Sequence, residues 1–237
     1  MAETGEIEVV VFDILGTMVD EPGGLRAAIR DAVPAAVDDA TADRLLTVWQ
    51  EHVEHEQRRI AEQDRAYANS EIIDREAARR VADRVGLTDP ATIERLATAS
   101  RRAEPWGDSL AGLARLARRY PVLGLSNAGR ATLLRLNAYA GLRWHQALSA
   151  EDARAYEPAP EVYRLALDAA GCPPERVLMV AAHAWDLRGA QVLGMRTAHV
   201  RRPIGDPPKR TDTFDWRANS LDELVTVLTG SGDGGRR

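Results

Sequence analysis

The sequence predicts an α/β protein: a doubly wound parallel sheet carrying an inserted helical cap. Three observations point there. Short apolar, β-branched runs such as "EIEVVVF" (6–12) and "RVLMVAAHAWD" (176–186) alternate with helical stretches closed by glycine. The stretch 24–104 is rich in Ala, Arg, Glu and Leu at helical spacing and holds no convincing strand. Sequential strand–helix units of this kind build a parallel sheet covered on both faces by right-handed crossovers.

The elements follow in order. Residues 6–12 are the first, buried strand. In "TADRLLTVWQEHVEHEQRRIAEQ", Leu45, Val48, Trp49, His52, Val53 and Ile60 form one helical stripe among charged positions. "DSLAGLARLARRY" opens a helix capped by Asp108 or Ser109. "PVLGLSNAG" is a strand and turn, and "RATLLRLNAYAG" a helix ended by Gly141. "HQALSA" is a short strand, and "PEVYRLALDAAG" a helix ended by Gly171. "RVLMVAAHAWD" is a strand and turn, "LRGAQVLG" a helix, and "RTAHVRRP" the last core strand. "SLDELVTVLTG" closes the fold as a helix, and "SGDGGRR" is a disordered tail. The core is therefore 1–19 with 106–230, the cap 20–105 and the tail 231–237.

Composition narrows the function. The chain has 237 residues, 45% of them hydrophobic, enough for a sizeable core. A net charge of −5 with no basic face excludes a nucleic-acid partner. One cysteine, Cys172, forms no disulfide framework and suits a reducing compartment. "MAETGEIEVV" has no basic n-region, and the apolar runs are too short to span a bilayer, so a cytoplasmic protein is expected. Lys209 is the sole lysine.

In such sheets the active site lies beyond the carboxyl ends of the strands. Those positions carry Asp13, Gly16 and Thr17; Ser126 and Asn127; Glu157 in "AYEP"; and His183 and Asp186. Each alone is ordinary turn or cap chemistry. Their arrival at one rim is not.

"FDILGT", "LSNAG", "AYEPAPEVY" and "MVAAHAWDLRGAQVLGMRT", in this order and spacing, resemble the four motifs of the haloacid dehalogenase superfamily. The nearest pattern is its type II, 2-haloacid dehalogenase branch. The resemblance spans about Val9 to Pro203, and the helical insertion falls where that family carries its cap. It implies a hydrolase acting on a small organic acid, without cofactor. Asp13 would be the nucleophile that forms a covalent ester. Thr17 would support it, and Ser126 and Asn127 would hold the substrate carboxylate and the leaving halide. Asp186 would orient its partners and help activate water. Leu15 stands where the superfamily's phosphatases have an acid to protonate the leaving group; a leucine cannot, and a halide needs no proton.

The match departs from the pattern in several places. His183 and Ala181 stand where dehalogenases often have asparagine and serine. Trp185 reads as core packing. Trp49 is followed by Gln50 where the family has a halide-holding arginine; Arg58 or Arg59, two turns on, are the replacements in reach. Above all, Glu157 replaces the lysine that precedes the motif's proline. Asp13, Glu157 and Asp186 would then crowd one site. Like charges about 4 Å apart cost roughly 4 kcal/mol per pair at an effective dielectric near 20. A carboxyl stays protonated, a cation enters, or Glu157 turns away, the last being the simplest. Lys209 or Arg154 could substitute for the lost cation.

Three functions fit these residues. One is a (S)-2-haloacid dehalogenase-like hydrolase with altered or weakened activity. The second is a Mg²⁺-dependent, phosphatase-like hydrolase using Asp13, Asp186 and Glu157 as oxygen ligands. The third is a fold without catalysis, serving as a binding or structural partner, with cap helices offering a homodimer surface.

Overall fold

The computed structural model describes residues 7–33 and 38–230. The expected tail 231–237 and the first residue of the predicted opening strand lie outside them. Six strands run parallel: β1 (Val9–Asp13), β4 (Val122–Ser126), β5 (Gln146–Ser149), β6 (Val177–Ala181), β7 (Arg196–Val200) and β8 (Trp216–Ala218). Their order is β5-β4-β1-β6-β7-β8, so the chain reverses direction across the sheet on either side of β1. Val10 pairs with Val122 on one side and Leu178 on the other. A ligand crevice belongs outside the carboxyl ends at such a reversal.

The alternation of β1 explains its burial. Val10 and Phe12 enter one apolar layer with Leu113 and Leu116 of α5 (Ser109–Leu116), Leu133 and Leu136 of α6 (Arg130–Ala140) and Leu224 and Leu228 of α9 (Leu221–Gly230). Val9 and Val11 enter the other, against Val162 and Tyr163 of α7 (Pro160–Ala170) and Leu187 and Ala190 of α8 (Ala184–Val192). A strand buried on both faces has no room for polar side chains until its end, where Asp13 stands.

Between β1 and β4 the chain makes its helical excursion. A two-residue pair, β2 (Val19–Asp20) with β3 (Glu104–Pro105), runs antiparallel at its base. Above it stand α1 (Glu21–Ala32), α2 (Asp39–Ala61), α3 (Ser70–Val85) and α4 (Pro90–Ala97). Asp20, Asp38, Asn69 and Asp89 cap them, each side chain accepting from a backbone N–H three residues on. On α2 the expected stripe is buried at Leu45, Trp49 and His52; Ala42 and Glu56 complete it, while Val48, Val53 and Ile60 are half-buried. These helices share a core of their own, centred on Leu25, Ile29, Leu45, Trp49, Val81 and Leu96. No helix of the described residues is long and apolar enough to cross a membrane.

Two readings need correction. "RTAHVRRP" is not the last core strand, because β8 extends the sheet beyond it. β8 is short, and its alternation shows only in buried Trp216 and Ala218 around exposed Arg217. Asp108 sits at the start of α5 without capping it. One oxygen accepts from the Leu221 N–H of α9 at 2.8 Å, the other from Arg202 Nη1 at 2.7 Å. Arg202 Nε in turn donates to the Thr17 carbonyl at 2.8 Å, tying the loop after β1 to the rest of the core.

Asp108→Ala should therefore lower unfolding free energy by about 3 kcal/mol, since it strands a buried guanidinium. Urea denaturation checks this; a loss under about 1 kcal/mol would show that the pair contributes as little as a surface bridge.

Candidate active site

Asp13 closes β1 and is 4% exposed. Thr17 Oγ1 donates to its carboxylate at 2.5 Å and itself accepts from the Ala182 N–H at 2.8 Å, which links the ends of β1 and β6. The loop between them turns at Gly16, whose φ of +80° is the left-handed region glycine favours. A Cβ there would lie 2.6 Å from His183 Nε2, so the glycine also makes room for that ring.

The loop after β5 brings in Glu157. It is 6% exposed, and its backbone N–H donates to Asn127 Oδ1 at 2.9 Å. The Glu157–Pro158 peptide is cis. Glu157 does not turn away from the site, contrary to the simplest sequence expectation. Asp13, Glu157 and the fully buried Asp186 each present a carboxyl oxygen, all within 4.8 Å of one another. Asp186, in the first turn of α8, accepts from Tyr163 Oη at 2.6 Å. Glu157 Oε1 and Asp186 Oδ2 are buried with no partner among the described residues. Such oxygens are of the kind that suit Mg²⁺.

Electrostatics follow from burial. Burial pushes the Asp13 carboxyl up to about 7, against the opposing bonds from Thr17 and the Ile14 and Leu15 amides. Burial, then the charge of Asp13, push Asp186 up to about 8, while the Tyr163 bond favours its ionised form. Burial, then Asp186 and Asp13, push Glu157 well above the carboxylate range. Burial lowers His183, keeping it neutral near pH 7.

Above this floor lies a cavity of about 200 Å³ between sheet and cap. Leu15, Gln50, Asn127 and His183 line it, as expected of substrate-contacting groups. Trp185 lines it too, in ring contact with His183 at 5.5 Å, so it is not mere core packing. Ser126 does not line it. Its side chain is fully buried and accepts from the Ala128 N–H at 3.2 Å, so it shapes the turn that carries Asn127.

The substitute cations do not reach. Arg154 and Lys209 are exposed and lie off the cavity wall. Arg58 is exposed on the outer side of α2, and Arg59 pairs with Glu56. Long side chains on a polar helix face stay in water when nothing draws them in.

Two cavity acids, Glu21 and Asp74, and the buried Tyr163 behind Asp186 escaped the sequence reading. Tyr163 sat in view as the last residue of "PEVY", and its inward position on α7 was the available signal. Glu21 and Asp74 carried none, since acids at helix starts and on cap helices read as solvated.

The cluster makes a pH prediction. A carboxyl whose native pKa lies above its unfolded value keeps its proton after the unfolded chain has lost it, so its contribution to stability falls as pH rises. Wild type minus Glu157→Gln unfolding free energy should decline as pH rises above about 4, where the unfolded chain's glutamate ionises and the buried one does not. Urea titrations at a series of pH values check this; parallel curves would mean that Glu157 ionises freely. Tyr163→Phe should raise the Asp186 pKa above about 8 in a carboxyl ¹³C NMR titration, because the donor favouring its ionised form is gone.

Comparison with known proteins agrees with this arrangement. A family model described as haloacid dehalogenase-like hydrolase matches residues 7–194. An (S)-2-haloacid dehalogenase from Xanthobacter autotrophicus is 31% identical over 200 residues, 83% of this chain and 76% of that one. (S)-2-haloacid dehalogenase 4A of Burkholderia cepacia is 28% identical over 230 residues, 92% of this chain and 93% of that one. Among solved structures, the Xanthobacter autotrophicus L-2-haloacid dehalogenase with chloropropionic acid covalently bound superposes with a TM-score of 0.81 at 25% identity, covering 94% of this chain and 99% of that one.

Proposed function

We propose, from the premise that the chain belongs to the haloacid dehalogenase-like hydrolase family, that it hydrolyses carbon–halogen bonds through an ester on Asp13, in the manner of an (S)-2-haloacid dehalogenase but with weakened action on haloacids. The observation that carries this is Asp13 itself: buried at the end of the central strand, held by Thr17, with apolar Leu15 facing the cavity two residues on. The covalent chloropropionic acid complex of the Xanthobacter autotrophicus relative supports it.

The step balances as follows. An Asp13 oxygen attacks the carbon bearing the halogen; a C–O bond forms, and the halide leaves with the C–X electron pair. Water then attacks the ester carbonyl carbon, giving a proton to ionised Asp186, which Tyr163 holds in place. The bond from that carbonyl carbon to the substrate oxygen breaks, and the product leaves as an alcohol on taking up a proton. Asp13 is restored with the water's oxygen. The net result is R–X and water giving R–OH, halide and one proton.

Protons rather than Mg²⁺ balance the three carboxyls in this reading. Burial favours protonated forms, and Leu15 leaves a phosphoryl-transfer site without its leaving-group acid. Action on haloacids is weak because, among the described residues, no lysine or arginine lines the cavity to meet a carboxylate. The single cysteine suits a cytoplasmic setting.

Single turnover of (S)-2-chloropropionate in ¹⁸O-water should place the label first in Asp13, read by peptide mass spectrometry, with no loss of rate on adding chelator. Asp13→Asn should abolish turnover. Unlabelled Asp13 with labelled product would overturn the ester, and no turnover of any halide by folded protein would leave a fold without this catalysis. Glu157→Lys should raise haloacid turnover at least ~100-fold, the scale of one good charge-stabilising contact. The rate should rise with pH from about 7 to about 8, as Asp13 ionises and then Asp186 becomes the base that takes the water's proton.

A further inference from the structure

The cavity wall carries a charge pattern that the family resemblance does not predict. Five carboxyl residues line it: Asp13 and Glu157 on the floor, Glu21 at the start of α1, Asp74 on α3 and Glu54 on α2. Among the described residues no lysine or arginine does. Among the described residues the other ionisable group on the wall is His183, which burial keeps neutral near pH 7.

Arginines near the cap are already engaged. Arg65 bonds Glu76 through both terminal nitrogens, at 2.7 and 2.8 Å, and Glu56 at 2.6 Å. Arg101 reaches Glu71 at 3.5 Å and Thr132 at 3.4 Å. The Glu21 side chain makes no hydrogen bond or ion pair among the described residues. The hydrogen bond of Asp74 is a long one, from Ser100 at 3.5 Å. On the floor, Glu157 is more than nine-tenths buried and presents an unpartnered Oε1. Buried acids without partners destabilise a fold unless something offsets them.

Uncharged polar groups such as Gln50 and Asn127 share the rest of the wall with an apolar and aromatic part: Trp49 and Trp185, with Leu15, Leu25, Val53 and Ile73. Aromatic faces attract organic cations, tryptophan most strongly. A bare divalent metal would gain nothing from them.

We infer that the cavity binds a small organic cation, a primary alkylammonium, with its charged head held by Glu21 and Asp74 and its carbon chain against Trp49 and Trp185. Resting on the ester chemistry proposed above, this makes the substrate class a halide bearing an ammonium group rather than a carboxylate. Burial raises Glu21 to about 7 and Asp74 well above the carboxylate range, so these two acids take up the ammonium as they ionise, which places binding at alkaline pH. Glu21 and Asp74 repel each other, and Glu21 also repels Asp13, so one positive charge above the floor relieves both. A carboxylate substrate would meet the same acids with nothing to offset the repulsion.

The test is equilibrium binding to the full chain by calorimetry at alkaline pH. The probes are unreactive propylammonium, propionate and MgCl₂. Propylammonium should bind at least ~10-fold more tightly than propionate, and Glu21→Gln and Asp74→Asn should each weaken it at least ~10-fold, as removing one partner of a desolvated charge pair does. Melting temperatures of both variants establish that they fold; if one does not, the other decides. Propionate binding as tightly as propylammonium would overturn the inference. So would unchanged affinity in the folded variants, or Mg²⁺ displacing propylammonium stoichiometrically. Propylammonium does not react, so binding without an ester on Asp13 sinks only the ester reading. An ester formed from chloropropionate, with no propylammonium binding, sinks only this one.

Discussion

The confinement of three carboxyl groups to one dry corner is the constraint on which the rest of this site depends. Asp13, Glu157 and Asp186 arrive on three different connections, and their oxygens end within 4.8 Å of one another. At that spacing each pair of like charges costs roughly 4 kcal/mol even at a generous effective dielectric. Burial adds a solvation cost for every charge it strips of water. The two effects act in the same direction, so the cluster holds protons that exposed carboxyls would have released. A nucleophile poised near neutrality is the result, where a lysine neighbour would have kept it fully ionised.

The surrounding structure supports that corner group by group. Thr17 gives its hydroxyl hydrogen to Asp13 and accepts from the Ala182 amide, so a single side chain joins two strand ends. Tyr163 does the equivalent for Asp186. Asn127 fixes the backbone of Glu157 through its side-chain oxygen. Arg202 grips the Thr17 carbonyl from behind while its charge is spent on Asp108, so this buried cation steadies the nucleophile's loop without neutralising the nucleophile. Electrostatic supply and mechanical support, which one lysine could have combined, are divided here among several residues.

The sequence carried the scaffold well and the interior poorly, for physical reasons. β1, β4 and β6 were legible because a strand buried on both faces must be apolar throughout, and Asp13 stood out where that run stops. Gly141 and Gly171 were legible because left-handed helix ends favour glycine. β8 was missed because three residues show too little alternation. Whether Glu157 faced in or out could not be read from a loop, where no periodicity assigns a face. Glu21 and Asp74 were invisible because an acid beside a helix start or on a cap helix is ordinary in sequence. Only the docking of cap against sheet encloses them.

The anionic character of the cavity does not rest on Glu157 alone. Gln50 follows Trp49 where the resemblance leads one to expect an arginine, and Gln50 lines the cavity. Glu157 takes the lysine's place and faces inward. Glu21 and Asp74 add acids from the cap side. Had only Glu157 changed, a neighbouring arginine could have swung in to restore balance, since this chain is rich in arginine and such side chains are long. Instead Arg65 and Arg101 are held by Glu56, Glu71 and Glu76, outside the cavity wall. Acids from separate elements thus set the cavity's charge in one direction, and the arginines that could balance it are bound elsewhere. A nucleophile with its support and two aromatic faces thus stands beneath a wall of acids without a cation among the described residues, a charge pattern that suits a cationic ligand better than an anionic one.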